Sequence, residues 1–419
     1  MKAPNNAIAE WRSYWFLPLA AALGYSCSVI HIYSIGPFIE PLQQEFGWSR
    51  AQITAGLSVA SIVSAIFCIP MGALVDRIGP RRVALAGVLL ITAAFALLST
   101  ATGATSNWLL LWGVIALAGL GVQAPVWTSA VASRFETSRG LAFAITLCGA
   151  SLSATVFPVL VTWLIGAYGW RHAFSAMGGI WAALVFPVLS LCFRGARDDR
   201  VVRVAAVAAA APPTAPLPGL TFAEGLRSSA LYKLLLAGGL FSFTTIAALV
   251  HFVPILKGAG ATPLAAAGTA SLIGIFSIVG RLATGMLLDK FSGHRVGATV
   301  FMLPIAMAAL LLIDGANPIS QVVAAAALGF TVGSEVDVIA FLASKHFGLR
   351  SFGALYGALV AALTLGTAFG PLTAGAVFDH FGSYAPFLLS TTLLMATSAI
   401  ALLSLGPAPS AADMAAQTT

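Results

Sequence analysis

The sequence predicts an all-α membrane protein of twelve transmembrane helices arranged as two six-helix bundles. Three observations carry this reading: a composition that excludes a soluble surface, twelve apolar stretches of spanning length, and an internal repeat at constant spacing. Apolar residues make up 59% of the 419-residue chain and charged residues only 8%, with a mean hydropathy of +0.95. A soluble domain needs a far more charged exterior, so the surface this chain presents has to face lipid.

A spanning helix takes about 20 largely apolar residues. Such stretches run over 13–39, 51–75, 83–103, 108–133, 141–167 and 173–193 in the first half, and over 230–256, 265–288, 296–313, 319–344, 354–378 and 386–405 in the second. Their length points to helices and not to the alternating segments of a barrel, since backbone in lipid must satisfy its own hydrogen bonds. The first stretch has no small-residue cleavage site after it and reads as a retained span. Cys27, Cys68, Cys148 and Cys192 all fall inside spans without paired spacing, which suits core filling and excludes a disulfide framework or a metal site.

The net charge of +7 is not a nucleic-acid footprint, because the charges sort by side. With the N-terminus inside, the inner segments hold Lys2, Arg12, Arg77, Arg81, Arg82, Arg134, Arg139, Arg194, Arg197, Arg200, Arg203, Arg227, Lys233, Lys290, Arg295, Lys345 and Arg350. The outer loops hold Arg50, Arg171 and Lys257. This asymmetry puts both termini in the cytoplasm of a multi-pass inner-membrane protein.

The two halves align at an offset of 213 residues. Gly72, Asp76 and Arg82 map onto Gly285, Asp289 and Arg295, Gly140 onto Gly353, Pro158 onto Pro371, Gly169 onto Gly382 and Phe174 onto Phe387. Six spans separate the members of each pair, so both halves enter from the same side as a parallel duplication. The organisation follows: residues 1–193 form one bundle, 194–229 a cytoplasmic linker, 230–405 the second bundle and 406–419 a tail. The linker contains an alanine-rich tract and APPTAPLPG, a composition that neither spans nor packs. Its end, TFAEGLRSSALYK, reads as a short amphipathic helix leading into the seventh span.

Charge inside a membrane is costly, about 2.5–3.5 kcal/mol on insertion scales, so intramembrane ionisable groups are candidate functional residues. Arg281 lies in the eighth span, Glu335 and Asp337 in the tenth and His31 in the first. Arg281 and the two acids lie at matching depths, which allows an ion pair between neighbouring helices. Residues two apart on a helix differ by about 200° in azimuth, so one of Glu335 and Asp337 faces the arginine, and the sequence leaves open which. None of the three obeys the repeat, whose equivalents are Cys68, Val122 and Ala124. An asymmetric small molecule needs such departures; scaffold packing does not. Gly24, Ser28 and His31 form a polar stripe on the first helix, and Gly119, Gln123 and Trp127 recur every four residues on the fourth. His251 and Asp314 fall at outer helix ends, near solvent, and are assigned no role.

The loop GALVDRIGPRR, from Gly72 to Arg82, resembles the signature loop of the major facilitator superfamily, Gly-x-x-x-Asp-Arg-x-Gly-x-Arg/Lys-Arg/Lys. GMLLDKFSGHR from Gly285 repeats it in degraded form. Physically, Gly72 permits close helix approach, Gly79 the turn, and Asp76 a contact with a helix N-terminus or an arginine. The resemblance implies the major facilitator fold and a cytoplasmic latch formed by Gly72, Asp76, Arg77, Gly79, Arg81, Arg82 and Asp289. GWSRA, GWRHAF and YSIGPFIEPLQQEFG are similar to the monocarboxylate and oxalate/formate transporter branch. In that branch an arginine matching Arg281 binds the substrate carboxylate. Animal members carry an aspartate where this chain has Ser277 and a lysine in the first span, where it has Tyr33. The oxalate/formate members' lysine in the eleventh span is missing from 354–378.

Together these readings describe a secondary transporter of small organic monocarboxylates, proton-coupled and working by alternating access. Arg281, His31, Tyr33, Gln123, Trp127 and Ser277 are the candidate substrate-binding residues, with Glu335 and Asp337 coupling protons. The expected partners are a small organic anion, protons and the lipid bilayer, with no nucleic acid, no cofactor and no metal, in a monomer. The competing reading is a proton-driven exporter of drug-like or cationic compounds, in which Glu335 and Asp337 bind the cation. No nucleotide loop, metal cluster or paired nucleophile and base appears, which argues against an enzyme.

Overall fold

The computed structural model describes residues 6–135, 137–195, 219–348 and 350–407. Most of the linker and tail, 196–218 and 408–419, lies outside the described residues. The described chain is helical apart from one isolated bridge, Gly219 to Gly348.

In the first half, α1 spans Phe16–Phe46 and α2 Arg50–Ile78. Then come α3, Pro80–Leu97, and α4, Thr105–Ala132. A continuous helical run, Arg139–Cys192, follows. Its 54 residues would extend ~80 Å, more than twice the hydrocarbon thickness. The run breaks at Gly169 (φ 79°, ψ 163°), which divides it into α5 (139–168) and α6 (170–192). The second half contains α7 Ser229–Gly258, α8 Pro263–Lys290, α9 Gly293–Asp314, α10 Pro318–Phe347, α11 Phe352–Phe381 and α12 Ala385–Leu403. Twelve spans thus appear among the described residues, as the apolar pattern requires.

The repeat is visible in the backbone. Gly169 and its counterpart Gly382 both take positive φ, 79° and 69°. Gly47 and Gly260, also 213 apart, do the same at 67° and 96°. Side chains rarely adopt this region, so glycine stands at the same two turns of each half.

Two of the spans are not regular. A 3-10 turn, Ser26–Val29, interrupts α1. In α4 a 3-10 turn, Leu120–Val122, is followed by Gln123 in extended conformation (φ −67°, ψ 158°) before the helix resumes. A short helix, Phe222–Arg227, precedes α7 and carries a reciprocal capping box between Thr221 and Glu224. The Thr221 amide bonding to Glu224 holds that carboxyl below its ordinary range.

The chain divides into two compact units, Met1–Leu42 with Val63–Pro212, and Gln43–Ile62 with Pro213–Thr419. The N-terminal part of α2, up to Ile62, is therefore packed with the second half of the sequence, although the repeat places it in the first. Within the first unit, small residues bring helices together: a Cβ on Gly149 would strike the Ala22 carbonyl of α1, and Gly87 and Gly121 meet backbone to backbone between α3 and α4. Trp181 of α6 donates to Ser26 at 2.8 Å, and Ser153 of α5 donates to the Ser26 carbonyl at 2.9 Å. In the second unit, Gly366 and Gly370 of α11 sit against the α7 backbone at Gly239 and Phe243. Where lipid tails are as apolar as the helices, such close backbone approach supplies the packing that the hydrophobic effect does not. Large side chains such as Leu110, Leu191 and Leu393 stay exposed, as a lipid-facing exterior requires.

Candidate functional site

The second unit brings the intramembrane charges together, and three glycines make this happen. A Cβ on Gly280 of α8 would strike the Phe330 carbonyl of α10. One on Gly333 would strike the Ser277 carbonyl, and one on Gly329 the Ile273 carbonyl. Helices α8 and α10 are therefore in backbone contact over two turns. Thr284 and Ser334, both buried, hydrogen-bond across this seam at 2.7 Å.

At this level Arg281 meets Asp337, not Glu335. Nη1 of Arg281 lies 3.2 Å from Oδ1 and 3.3 Å from Oδ2 of Asp337. The pairing runs through a single nitrogen, at distances longer than the 2.7–2.9 Å of a strong charge-assisted bond. The guanidinium fork is not engaged, and Nε is buried with no acceptor. Asp337 is the more exposed partner, at 31% against 14% for the arginine side chain. This is an ion pair with unused donor capacity and one accessible member.

Glu335 points elsewhere. It is 7% exposed and faces Ser242 of α7, whose hydroxyl shares a hydrogen bond with Thr367 of α11 at 3.1 Å. Its Oε1 is buried without a partner. The 200° separation on α10 thus sorts the two acids, one to the arginine on α8 and one to the hydroxyls of α7 and α11. Ser242, Thr367, Thr284 and Ser334 carry no sequence signal of their own, because hydroxyl side chains in spans usually bond back to their own helix.

The other candidates are placed as follows. Trp127 is fully buried, its ring covers Gly24, and its indole nitrogen donates to the Val122 carbonyl at 2.7 Å. Its only polar atom is thus committed, and it packs α4 against α1. The stripe Gly24–Ser28–His31 is accordingly not an open wall: Gly24 seats the tryptophan and Ser28 is buried, donating to Tyr25. His31 stands edge-on to Trp112 at 5.9 Å, with a buried, unpartnered Nδ1. Gln123 and Tyr33 are half-buried, Gln123 at the break in α4. Ser277 is buried and its hydroxyl donates to Gly274 at 2.8 Å.

In the signature loop, Gly79 has φ 90° and starts α3, the turn that its position requires. Arg81 donates to the Ser190 carbonyl of α6 at 2.5 Å, which ties the loop to that helix. Arg77, Arg82 and Asp289 are exposed. Gly72 and Asp76 lie on the inner end of α2, their side-chain surroundings outside the described residues. His251 departs from expectation: despite its position near a helix end it is fully buried and hydrogen-bonded at both ring nitrogens. Its two partners, the Pro371 carbonyl and the Tyr384 hydroxyl, come from α11 and from the turn before α12.

Twelve spans, a duplicated half and the loop at 72–82 define a class, the helical secondary transporters. Residues 21–359 match the family model of the Major Facilitator Superfamily, and the chain belongs to that family. It is 26% identical over 389 residues to monocarboxylate transporter 13 of Bos taurus, covering 92% of this chain and 88% of the relative. The gallate transporter of Pseudomonas putida is 28% identical over 380 residues, covering 78% and 81%. Among solved structures, a bacterial homologue of the human lysosomal transporter Spinster superposes with a TM-score of 0.65 at 18% identity, over 93% and 94% of the two chains. The last likeness concerns the fold alone. The protein is a multi-pass membrane transporter for a small molecule, and not an enzyme.

Proposed function

We propose that the protein carries small organic monocarboxylates across the inner membrane, coupled to protons, by alternating access of its two six-helix halves. The observation that supports this best is the incomplete Arg281–Asp337 pair. A guanidinium held by one nitrogen keeps its fork free for a second carboxylate, and planar bidentate recognition is the chemistry for which arginine is suited. The substrate anion takes over Arg281 and displaces Asp337. No other cation is bonded to Asp337 among the described residues, and an unpaired charge in a low-dielectric cavity is costly. The displaced aspartate therefore takes up a proton. Loading then adds one anion and one proton together, and the charge of the site does not change.

Glu335 serves a different part in this scheme. It makes no bond to Arg281 and faces Ser242 and Thr367, which link α7 to α11, so that its part is to hold the helix bearing Asp337 in register. In the first unit His31, Gln123 and Tyr33 remain the candidate substrate contacts, and the signature loop latches the cytoplasmic side. Both termini lie in the cytoplasm and the monomer is the working unit. The names of the relatives, a monocarboxylate transporter and a gallate transporter, agree with an acid as substrate, aromatic acids included.

The test is uptake of radiolabelled lactate, pyruvate and 4-hydroxybenzoate into proteoliposomes, with and without a pH gradient. At least one acid should accumulate, and an alkaline interior should raise the accumulation. Failure with all acids, together with gradient-driven movement of an organic cation such as ethidium, would favour the export reading instead.

A further inference from the structure

The densest polar network among the described residues stands far from Arg281, at the helix ends opposite the chain termini. Asp379, at the end of α11, accepts from the backbone nitrogens of Arg50 and Ala51 at 2.9 Å each. These are the first residues of α2, so a carboxylate from the second repeat caps a helix N-terminus of the first, where orphan N–H groups and the helix dipole both favour negative charge. The Arg50 guanidinium lies 3.5 Å from the centre of the Phe378 ring and bonds Tyr384 at 2.6 Å and Gln43 at 3.1 Å.

From Tyr384 the network runs inward. Its hydroxyl meets Nδ1 of His251 at 2.7 Å, and Nε2 of His251 meets the Pro371 carbonyl at 2.9 Å. A carbonyl only accepts, so Nε2 carries the hydrogen and Nδ1 accepts from the tyrosine. Arg50 to Tyr384 to His251 to Pro371 is then a chain with every donor and acceptor matched in direction. Deeper still, Thr54 donates to the same Pro371 carbonyl at 3.2 Å, and Ser58 donates to the Ala368 carbonyl. Gly375 has no room for a Cβ, which would lie 2.8 Å from the Ala51 nitrogen.

These contacts are what place Gln43–Ile62 with the second unit. We propose that they form a releasable outer latch, made by Asp379, Arg50, Tyr384 and His251, whose opening is a required step of transport. Parts of one repeat bonded to the other along nine residues of α2, Arg50 to Ser58, cannot persist when the two halves separate on that side. The bonds are polar and made to helix ends, and water can replace each one as the side opens, which an apolar seam does not allow. The proposal rests on alternating access and not on the organic-anion assignment. Neither Arg50 nor Asp379 obeys the repeat, their equivalents being Pro263 and Gly166, so the latch belongs to one side of the molecule only.

The test uses the full chain with its four native cysteines replaced and a single reporter, Ser58→Cys, in right-side-out vesicles. A membrane-impermeant thiol reagent added outside measures how often the latch opens. Asp379→Ala should raise the labelling rate at least tenfold, and Asp379→Asn, which keeps one acceptor oxygen, should raise it less. Arg50→Gln should also raise it. A second reporter, Thr146→Cys, buried in the first unit, should stay unlabelled throughout. Unchanged labelling of Ser58→Cys in Asp379→Ala and Arg50→Gln overturns the proposal, as does an equal rise at Thr146→Cys, which would mean general loosening. If the latch opens as expected but no organic acid is transported, the substrate reading fails and the latch stands.

Discussion

The Arg281–Asp337 pair and the Arg50–Asp379 cluster each join an arginine and an aspartate from different helices, yet they are built for opposite ends. Arg50 uses its guanidinium on a phenol, an amide and an aromatic face. Asp379 fills both oxygens with helix N–H groups. Arg281 reaches its partner through one nitrogen at 3.2 and 3.3 Å and leaves Nε without an acceptor. The contrast is one of completeness in hydrogen bonding. On the proposed reading, the saturated cluster fastens helices and the unsaturated pair receives the substrate.

The largest effect should come from the seam that creates the inner pair. Gly333→Leu drives a side chain into the Ser277 carbonyl and forces α8 from α10. Overpacking typically costs about 1–3 kcal/mol, and separation of the helices should also abolish substrate binding; a variant that binds normally would break the account of how the pair is positioned. Arg281→Lys should keep the fold and weaken binding about a hundredfold, ~2.8 kcal/mol at 1.4 kcal/mol per decade, because the ammonium lacks the fork. Equilibrium binding to the purified variant measures this.

Glu335→Gln should change turnover severalfold and leave affinity nearly intact, since Arg281 is bonded to Asp337 and not to Glu335. A change in affinity as large as that of Arg281→Lys would show that both acids belong to one site. The smallest effect is expected for Tyr384→Phe, which removes one hydroxyl between Arg50 and His251 and should speed Ser58→Cys labelling by less than Asp379→Ala does. Burial holds the Tyr384 phenol well above its ordinary range, with Arg50 opposing only in part. The raised value keeps the O–H form in place through neutral pH, so no step in latch opening between pH 5 and 8 should trace to this tyrosine.

Much of the architecture was legible in the sequence, because span length and the offset of 213 are set by the bilayer and by the duplication. Arg281 was legible for the same reason: a charge in mid-span that breaks the repeat. The choice between Glu335 and Asp337 was not, since it depends on the rotation of α10, which Gly329 and Gly333 fix only by contact with α8. Trp127 looked like a cavity residue by its spacing, but spacing does not reveal that its ring lies over Gly24. Arg50, Asp379 and His251 resemble solvated helix ends when read along the chain. The repeat test applied to them singles out all three, the counterpart of His251 being Phe38, but only the fold reveals that the histidine is buried and bonded at both ring nitrogens.

The central claim is that the substrate anion replaces Asp337 on Arg281 and that the displaced aspartate takes the proton. Substrate affinity measured from pH 5 to 8 tests it most directly, in the parent, in Asp337→Asn and in Glu335→Gln. Affinity in the parent and in Glu335→Gln should strengthen as pH falls, because protonation of Asp337 frees the arginine. In Asp337→Asn it should be independent of pH and at least as strong as in the parent at pH 8. A pH dependence that survives in Asp337→Asn and vanishes in Glu335→Gln would contradict the exchange and assign the proton to the other acid.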